Sequence, residues 1–598
     1  MRRSRAGQGG PFAQPYGFLT KEMAFCLAGA GKRLTVVGML ASHKKTCGII
    51  AALGLLIGSE AGAAVVPSTV LTEAQQASRF LAQATFGPSP DALAELRQIN
   101  NDFSGWIDRE AAKPVTSAAA LLTSALAAGQ ITTIDKAANR RARNQVMLSA
   151  PDQLRQRVAY ALSQIMVISD NDTNVANGRE GSSSYHDVLA RNALGNFRTL
   201  LMDVTRHPMM GRYLSHYKNR KANAVSGTRP DENYAREVMQ LFTIGLYNLN
   251  ANGTYQTAGV QPVESYTNDN ITEFARVFTG FTDDSAVDTG TGTGRTDFPR
   301  ADANYTAPMR MWELQHDTGA KTLLAYAGAR KTSLPAGQTG LQDVQDAIDN
   351  LVEHPNTAPF ICRQLIQRLV TSNPTDAYVG RVAAAFANNG SGVRGDLKAV
   401  VKAILLDVEA RSPTFIGDPE HGKLREPYLR VTHVLRAFRY TVQDGPLPYD
   451  LGSTFTEATL GQFPLASGSV FNFYAPDYQP AGPIGSAGLV GPEFQILNSV
   501  FAITTPNGMN TLISNGAGKF KLNLAEQETL AADPAALLTN LDLLLTHGTM
   551  SVETRAAILK AVQGVTTAMV PSGSNINQTR TLLAVYLVTL SPDFAVLK

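Results

Sequence analysis

Cysteine is nearly absent: Cys26, Cys47 and Cys362 are the three in 598 residues. Only Cys362 lies beyond the cleavage site argued below, so an intrachain disulfide is excluded from the processed chain. Its stability must come from apolar burial, which a chain of this length can supply. Cys362 itself, in "TAPFICRQLIQRLV", has apolar neighbours at helical spacing and reads as an inert core thiol. Charge of one sign is also missing. With 53 basic against 50 acidic residues the net charge is +3, and no basic stripe with interleaved aromatics appears, which argues against nucleic acid as a partner. Long apolar runs are missing too, so no transmembrane span is expected in the mature chain. Catalytic signatures are equally scarce. There is no H-E-x-x-H, no close Cys/His cluster, and no G-x-S-x-G in a strand–turn–helix setting. "GSGV" and "TGTGTG" are Gly-rich without the Lys and the strand–helix context of a phosphate loop. No C-x-x-C-H occurs, which excludes covalently attached haem on sequence; other cofactors stay undefined.

What is present begins at Met39. In "MLASHKKTCGIIAALGLLIGSEAGAAVVPS", His43, Lys44 and Lys45 precede an apolar run from Cys47 to Gly58, and Ala61-Gly62-Ala63 gives an A-x-A exit. That is a secretory signal peptide over 39–63, too short for a spanning helix. Residues 1–38 then read as an upstream extension from a start codon assigned too early. The mature chain is expected to be exported, periplasmic or extracellular, and soluble.

Beyond it the helical period dominates, and the fold class is mainly α: a large multi-helix orthogonal assembly with long loops and at most a few short strands. "LTEAQQASRFLAQATFG" has Thr72 as N-cap, Ala77, Phe80, Leu81 and Ala84 on one stripe, and Gly87 as stop. "SPDALAELRQI" has Ser89 as cap and Pro90 at the first helical position. Further helices read at 151–168, 185–206, 230–245, 267–279, 341–353, 356–372, 374–388, 395–407, 424–440, 533–547, 551–563 and 576–590. A small hairpin is possible around "KTLLAYAG". Residues 169–184, 283–308 and 476–493 read as loops, the middle one flexible and the last ordered. A soft boundary near 330 divides an N-terminal helical part, 72–330, from a C-terminal part, 331–598. No fixed-period repeat supports a solenoid.

One stretch concentrates charge. "RPDENYAREVMQLFTIG" places Pro230 in the first turn, Asp231 and Glu232 at the positive end of the dipole, and Gly245 at the stop. Tyr234, Val238, Leu241 and Phe242 share a face, and Glu232 pairs with Arg236 four residues on. Glu237 falls inside the apolar sector, where a carboxylate needs a cation or donors, or else stays protonated. Asn233 stands one turn earlier. Arg276 on the next helix is a possible partner, although its position on that helix turns it away. Glu237, with Glu232 and Arg236, is the catalytic candidate, with Asn233 and Arg276 as ligand contacts; a buried carboxylate that only ties helices together is the plainer reading.

Other candidates follow from residue type. His186, His207, His216 and His316 lie in "YHD", "RHPMMGRYLSH" and "QHD" and could converge as a metal site, although spacing gives no direct support. "DNDTN" imitates the start of a calcium loop but lacks the glycine at position six and the glutamate at twelve, so a solvated acidic loop is the better reading. "FNFYAPDYQP" brings Phe471, Phe473, Tyr474 and Tyr478 around two prolines; Tyr474 could line a binding groove, with aromatic core under an ordered loop as the plainer reading.

Taken together, "ASRFLAQATFGPS", "YHDVLARNALGNFRTLLMDVTRHPMMGRYLSH", "RPDENYAREVMQLFTIGLYNLN", "YTNDNITEFARVFTGF", "KLREPYLRVTHVLRAF", "FNFYAPDYQPAGPIGSAGLVGPEFQI" and "YLVTLSPDF", in that order, resemble the bacterial domain of unknown function 1800 over about residues 75–597. The resemblance implies an exported helical protein, often encoded beside a sulfatase-like protein, and carries over no catalytic residue. The function expected is binding or assembly at the cell envelope with a sulfatase-like partner. The alternative is an exported hydrolase or redox enzyme with a Glu/Arg/His-lined pocket.

Overall fold

Helix starts are set by the side chains that precede them. Thr72 accepts a hydrogen bond from the Gln75 amide, and the Gln75 side chain accepts from the Thr72 N–H, so two otherwise orphaned donors are satisfied at once. Ser89 caps the next helix ahead of Pro90. The computed structural model describes residues 71–284, 297–299 and 303–598; the readings for 1–38 and 39–63 lie outside them, as does much of the 283–308 loop.

Among the described residues the helices of eight residues or more are α1 Glu73–Ala84, α2 Pro90–Gln98, α3 Phe103–Ala112, α4 Ala118–Ala127, α5 Lys136–Ser149, α6 Gln153–Ser163, α7 Gly181–Asn192, α8 Phe197–Arg206, α9 Asn233–Gln240, α10 Asn268–Val277, α11 Gly340–Glu353, α12 Thr357–Leu369, α13 Asp376–Ala387, α14 Leu397–Leu406, α15 Pro427–Ala437, α16 Phe501–Asn515, α17 Pro534–Leu541, α18 Val552–Gln563 and α19 Ile576–Leu590. Strands occur as short antiparallel pairs, one of them the hairpin of Lys321–Thr322 with Ser333–Leu334. The fold is mainly α.

Several boundaries depart from the sequence reading. The helix read at 185–206 is two, because residues 195–197 are held against 395–397: the Phe197 N–H donates to Gly395 C=O and the Leu397 N–H to Gly195 C=O, each at 2.8 Å. The helix read at 230–245 starts at Asn233. Asn219 grips Asp231 through both its backbone groups, its Oδ1 taking the N–H at 2.8 Å and its Nδ2 donating to the C=O at 3.1 Å, so Pro230 stays outside. Helices α3, α4, α5 and α16 lie where the pattern gave none. On α5 the buried face includes Asn139, Arg143 and Asn144, and α16 carries Pro506 inside it. A polar inward face and an internal proline both blur the apolar period.

The described residues from 71 to 570 and from 574 to 598 form one compact unit. Its apolar interior comprises two clusters. One runs from Ala77 through Ala410 with Leu465, and so continues across residue 330. The other joins Phe86 and the α4–α5 region to Tyr428, Val431, Val434 and Leu435 of α15 and to buried residues between Leu447 and Phe594. Helix α6 serves both, with Leu154, Val158 and Leu162 in the first and Tyr160 in the second. Every residue of α6 is buried, its charged ones included.

In the "DNDTN" segment Asn171, Thr173 and Asn174 face solvent, as a solvated loop requires, and Asp170 is the exception. Asp170 is buried and ion-paired with Arg143, whose Nη1 also donates to Ser182 Oγ at 2.8 Å, and Asp172 caps the short helix Thr173–Ala176. In "FNFYAPDYQP" Tyr474 is buried, whereas Phe471 is exposed. Cys362 is fully buried, and burial pushes its thiol pKa up.

Candidate functional site

Charge collects where α6 and α12 meet the segment leading into α15. Lys423–Leu424 pairs antiparallel with Val596–Leu597, and Pro427 opens α15, so residues 423–426 run extended into the interior. Lys423, Arg425 and Glu426 are all buried there, which charged side chains tolerate only when partnered.

One oxygen of the Glu426 carboxylate accepts from Tyr160 Oη at 2.5 Å, Gln164 Nε2 at 2.8 Å and Gln462 Nε2 at 2.6 Å. The other faces Lys423 Nζ at 3.9 Å. That ammonium lies 2.9 Å from Glu493 and donates to Arg368 C=O at 3.0 Å, the same carbonyl that Arg157 Nη2 reaches at 2.7 Å. The Arg368 guanidinium sits 4.5 Å over the Tyr474 ring, and the Tyr474 hydroxyl donates to Gln164 Oε1 at 2.7 Å. Tyr474 therefore belongs to this network.

Burial alone would push the Glu426 carboxyl up. The charges of Lys423, Arg157 and Arg368 and the Tyr160 hydroxyl outweigh burial and hold it below its ordinary range. Desolvation drives Tyr160 well above the usual phenol value. Neither group titrates near neutral pH, and the cavity beside them, lined by Tyr160, Gln164, Pro464 and Ser467 among others, measures about 10 Å³, room for about one water. This cluster joins five distant chain segments: α6, α12, 423–426, 462–474 and Glu493. Sequence reading passed over Lys423, Arg157, Arg368 and Glu426, although "KLRE" ahead of Pro427 and the charges of α6, a helix with no exposed side, were the available signal.

A larger opening lies elsewhere. Helices α4, α7 and α8 with Thr306 and Pro308 wall a groove of about 690 Å³ carrying Glu180, Asp187, Arg191, Asp203 and His207. Asp187 is spent on α4: it accepts from Ser117 Oγ at 2.6 Å and from the Ala118 and Ala119 N–H groups at 2.7 and 3.0 Å. Desolvation outweighs these bonds and raises its carboxyl to about 6. Ser184 and His207 meet in the same wall, with Nε2 3.3 Å from the hydroxyl. They are wired against nucleophilic use. His207 Nδ1 accepts the Met209 N–H at 3.2 Å, so the ring proton sits on Nε2, where a base for Ser184 would need a lone pair.

The residues singled out from sequence do not share one pocket. Glu237 is 5 % exposed; its Oε2 has no hydrogen-bond partner among the described residues, and desolvation raises its pKa against a small opposing pull from Arg236. Glu232 and Arg236 pair at 3.7 Å on the half-exposed side of α9, where Thr272 also donates to Glu232 at 3.0 Å. Asn233 is exposed. Arg276 points away from Glu237 and pairs with Glu273 at 2.8 Å and Asp317 at 2.9 Å.

The four histidines form no metal-binding group, and no set of three or more His, Cys, Asp or Glu side chains placed to hold a metal ion occurs among the described residues. Each already has protein partners. His186 meets Gln156 at 2.8 Å, and His207 meets Ser184 and Met209. His216 meets Thr205 C=O at 2.8 Å and stacks on Tyr234. His316 lies 3.0 Å from both Thr279 C=O and Asp343, a carboxylate shared with Lys321 at 2.6 Å. His186 and His216 each keep Nδ1 unpartnered among the described residues, so a lone pair is free on both rings, but the four histidines are not grouped to share one ion.

Among the described residues no helix is long and apolar enough to cross a membrane. A family model described as "Protein of unknown function (DUF1800)" matches residues 79–596. No curated protein and no solved structure matches the chain.

Proposed function

Since the chain belongs to the DUF1800 family of unknown function by its match over residues 79–596, we propose that it works as an exported binding or assembly protein of the bacterial cell envelope, with a sulfatase-like protein as its partner. Export rests on the signal-peptide pattern of residues 39–63. The observation that carries the binding role is the groove of about 690 Å³, whose described lining holds Glu180, Asp187 and Asp203 against one cation, Arg191, with Arg179 pairing Glu180 at 3.4 Å from outside the lining. Its histidine is neutral, because burial lowers the His207 pKa to about 3. The groove wall therefore has an acidic excess that suits a basic or hydroxyl-rich segment.

The test is capture from envelope extract with the mature protein, identification by mass spectrometry, and a parallel measurement with Glu180→Lys plus Asp203→Lys. Recovery of a sulfatase-like protein, weakened at least about tenfold by the reversal, is the expected result. Failure to bind one, together with turnover by the purified protein, would overturn the reading.

A second reading, an exported hydrolase, has one observation in its favour: the Asp187 carboxyl, at about 6, lies in the range of a general acid and lines the groove. Hydrolysis of an ester or glycoside that Asp187→Asn abolishes without lowering stability would support it.

A further inference from the structure

Arg157 on α6 is 2 % exposed and makes one hydrogen bond, to Arg368 C=O; its Nε and Nη1 have no partner among the described residues. Arg425 is 4 % exposed and, among the described residues, its hydrogen bonds go to two histidines and a carbonyl and none to a carboxylate. Its Nη1 donates to His433 Nδ1 at 2.9 Å and to Leu545 C=O at 3.2 Å, its Nη2 to His547 Nε2 at 2.7 Å, and its Nε has no partner.

These contacts settle the protonation of both imidazoles. His433 Nε2 donates to Leu544 C=O at 2.8 Å. His547 Nδ1 donates to Ser78 Oγ at 2.8 Å, and that hydroxyl passes its own proton to Leu543 C=O at 2.6 Å. Each ring therefore carries one proton and no charge. Arg157, Arg368, Lys423 and Arg425 bring four positive charges into this interior, and Glu426 and Glu493 bring two negative ones, an excess of two positive charges.

Buried charge without compensation is strongly unfavourable. The place where a counter-charge would sit is defined: Thr85, Phe86, Arg157, Lys423, Arg425 and His433 line a cavity of about 20 Å³. A single water needs roughly 10–15 Å³ of such space, so the cavity suits one small particle. Water would satisfy the donors but leave the charge. We infer that this cavity is a buried halide site, holding one chloride between Arg157, Lys423 and Arg425.

Crystals of the mature chain soaked in bromide should show an anomalous peak between these three side chains. In solution, the melting temperature should rise saturably as chloride replaces gluconate at fixed ionic strength. Arg157→Gln should lose most of that rise, and Arg157→Lys should keep part of it. If Arg157→Gln fails to fold, the bromide peak and the wild-type halide response still decide. No peak at this position overturns the inference whatever the melting curves do. A peak without chloride-dependent melting overturns it too, since the halide would then be adventitious.

Discussion

The Glu426 carboxylate takes the Tyr160 hydroxyl at 2.5 Å across 266 positions of sequence. With Gln164 and Gln462 on the same oxygen, it fastens α6, the start of α15 and the 462–474 segment at one buried point. Glu426→Gln would keep the shape and remove the charge that balances Lys423, Arg157 and Arg368. The expected loss is about 3–5 kcal/mol in urea unfolding, the cost of orphaning buried cations. Tyr160→Phe deletes one donor to a carboxylate that keeps two others and should lose about 1–3 kcal/mol. Equal small losses from both would show that the cluster is not compensated as described.

Acid should unfold this protein from an unusually high pH. Burial lowers the pKa of His186, His207 and His421 to about 3, and of His216 and His354 to about 4, from 6.5. A base lowered in the folded state contributes fully above its unfolded value, and the contribution is lost as pH falls from 6.5 towards the folded value. Each histidine then costs about 1.4 kcal/mol per pH unit. Urea midpoints measured from pH 7.5 to 4.5 should fall steeply below 6.5, and a flat profile would contradict the buried neutral rings.

Glu237→Gln should stabilise. Burial raises this carboxyl above its ordinary 4.5, so folding favours the protonated form and ionisation costs stability as pH rises from 4.5 through the raised folded value. Glutamine avoids that cost. The gain should be about 1 kcal/mol at pH 8 and near zero at pH 4. A loss at pH 8 would mean that Glu237 holds a cation or donor in solution.

Gly245→Ala should destabilise by about 1–3 kcal/mol in thermal or urea unfolding. The residue has φ +72°, and an added Cβ would stand 2.7 Å from the Phe360 ring. Gly259, at φ +66° with nothing within 4 Å, is the control: alanine there meets only the backbone cost, so its loss should be smaller.

Much of the local structure was legible because it is written within a few residues. Thr72 and Ser89 cap where their spacing says, the Glu232–Arg236 pair forms, and Glu237 is buried as its position on the helix requires, although that helix stops at Gln240, short of Gly245. The polar-faced α5 was not, since Arg143 is buried only because Asp170 comes from another segment to meet it. The candidate sites shifted for a similar reason. Histidines and carboxylates that are close in sequence each found separate partners, whereas Lys423, Arg157, Arg368 and Glu426, unremarkable singly, converge.

The sequence by itself determined the helical class, the family and the positions of most helices, because apolar periodicity and capping act over a turn or two. Only the tertiary structure decided which charges are buried and which face water. A side chain's desolvation and its partners depend on segments hundreds of residues away, as with Tyr160 and Glu426. No local pattern encodes that distance.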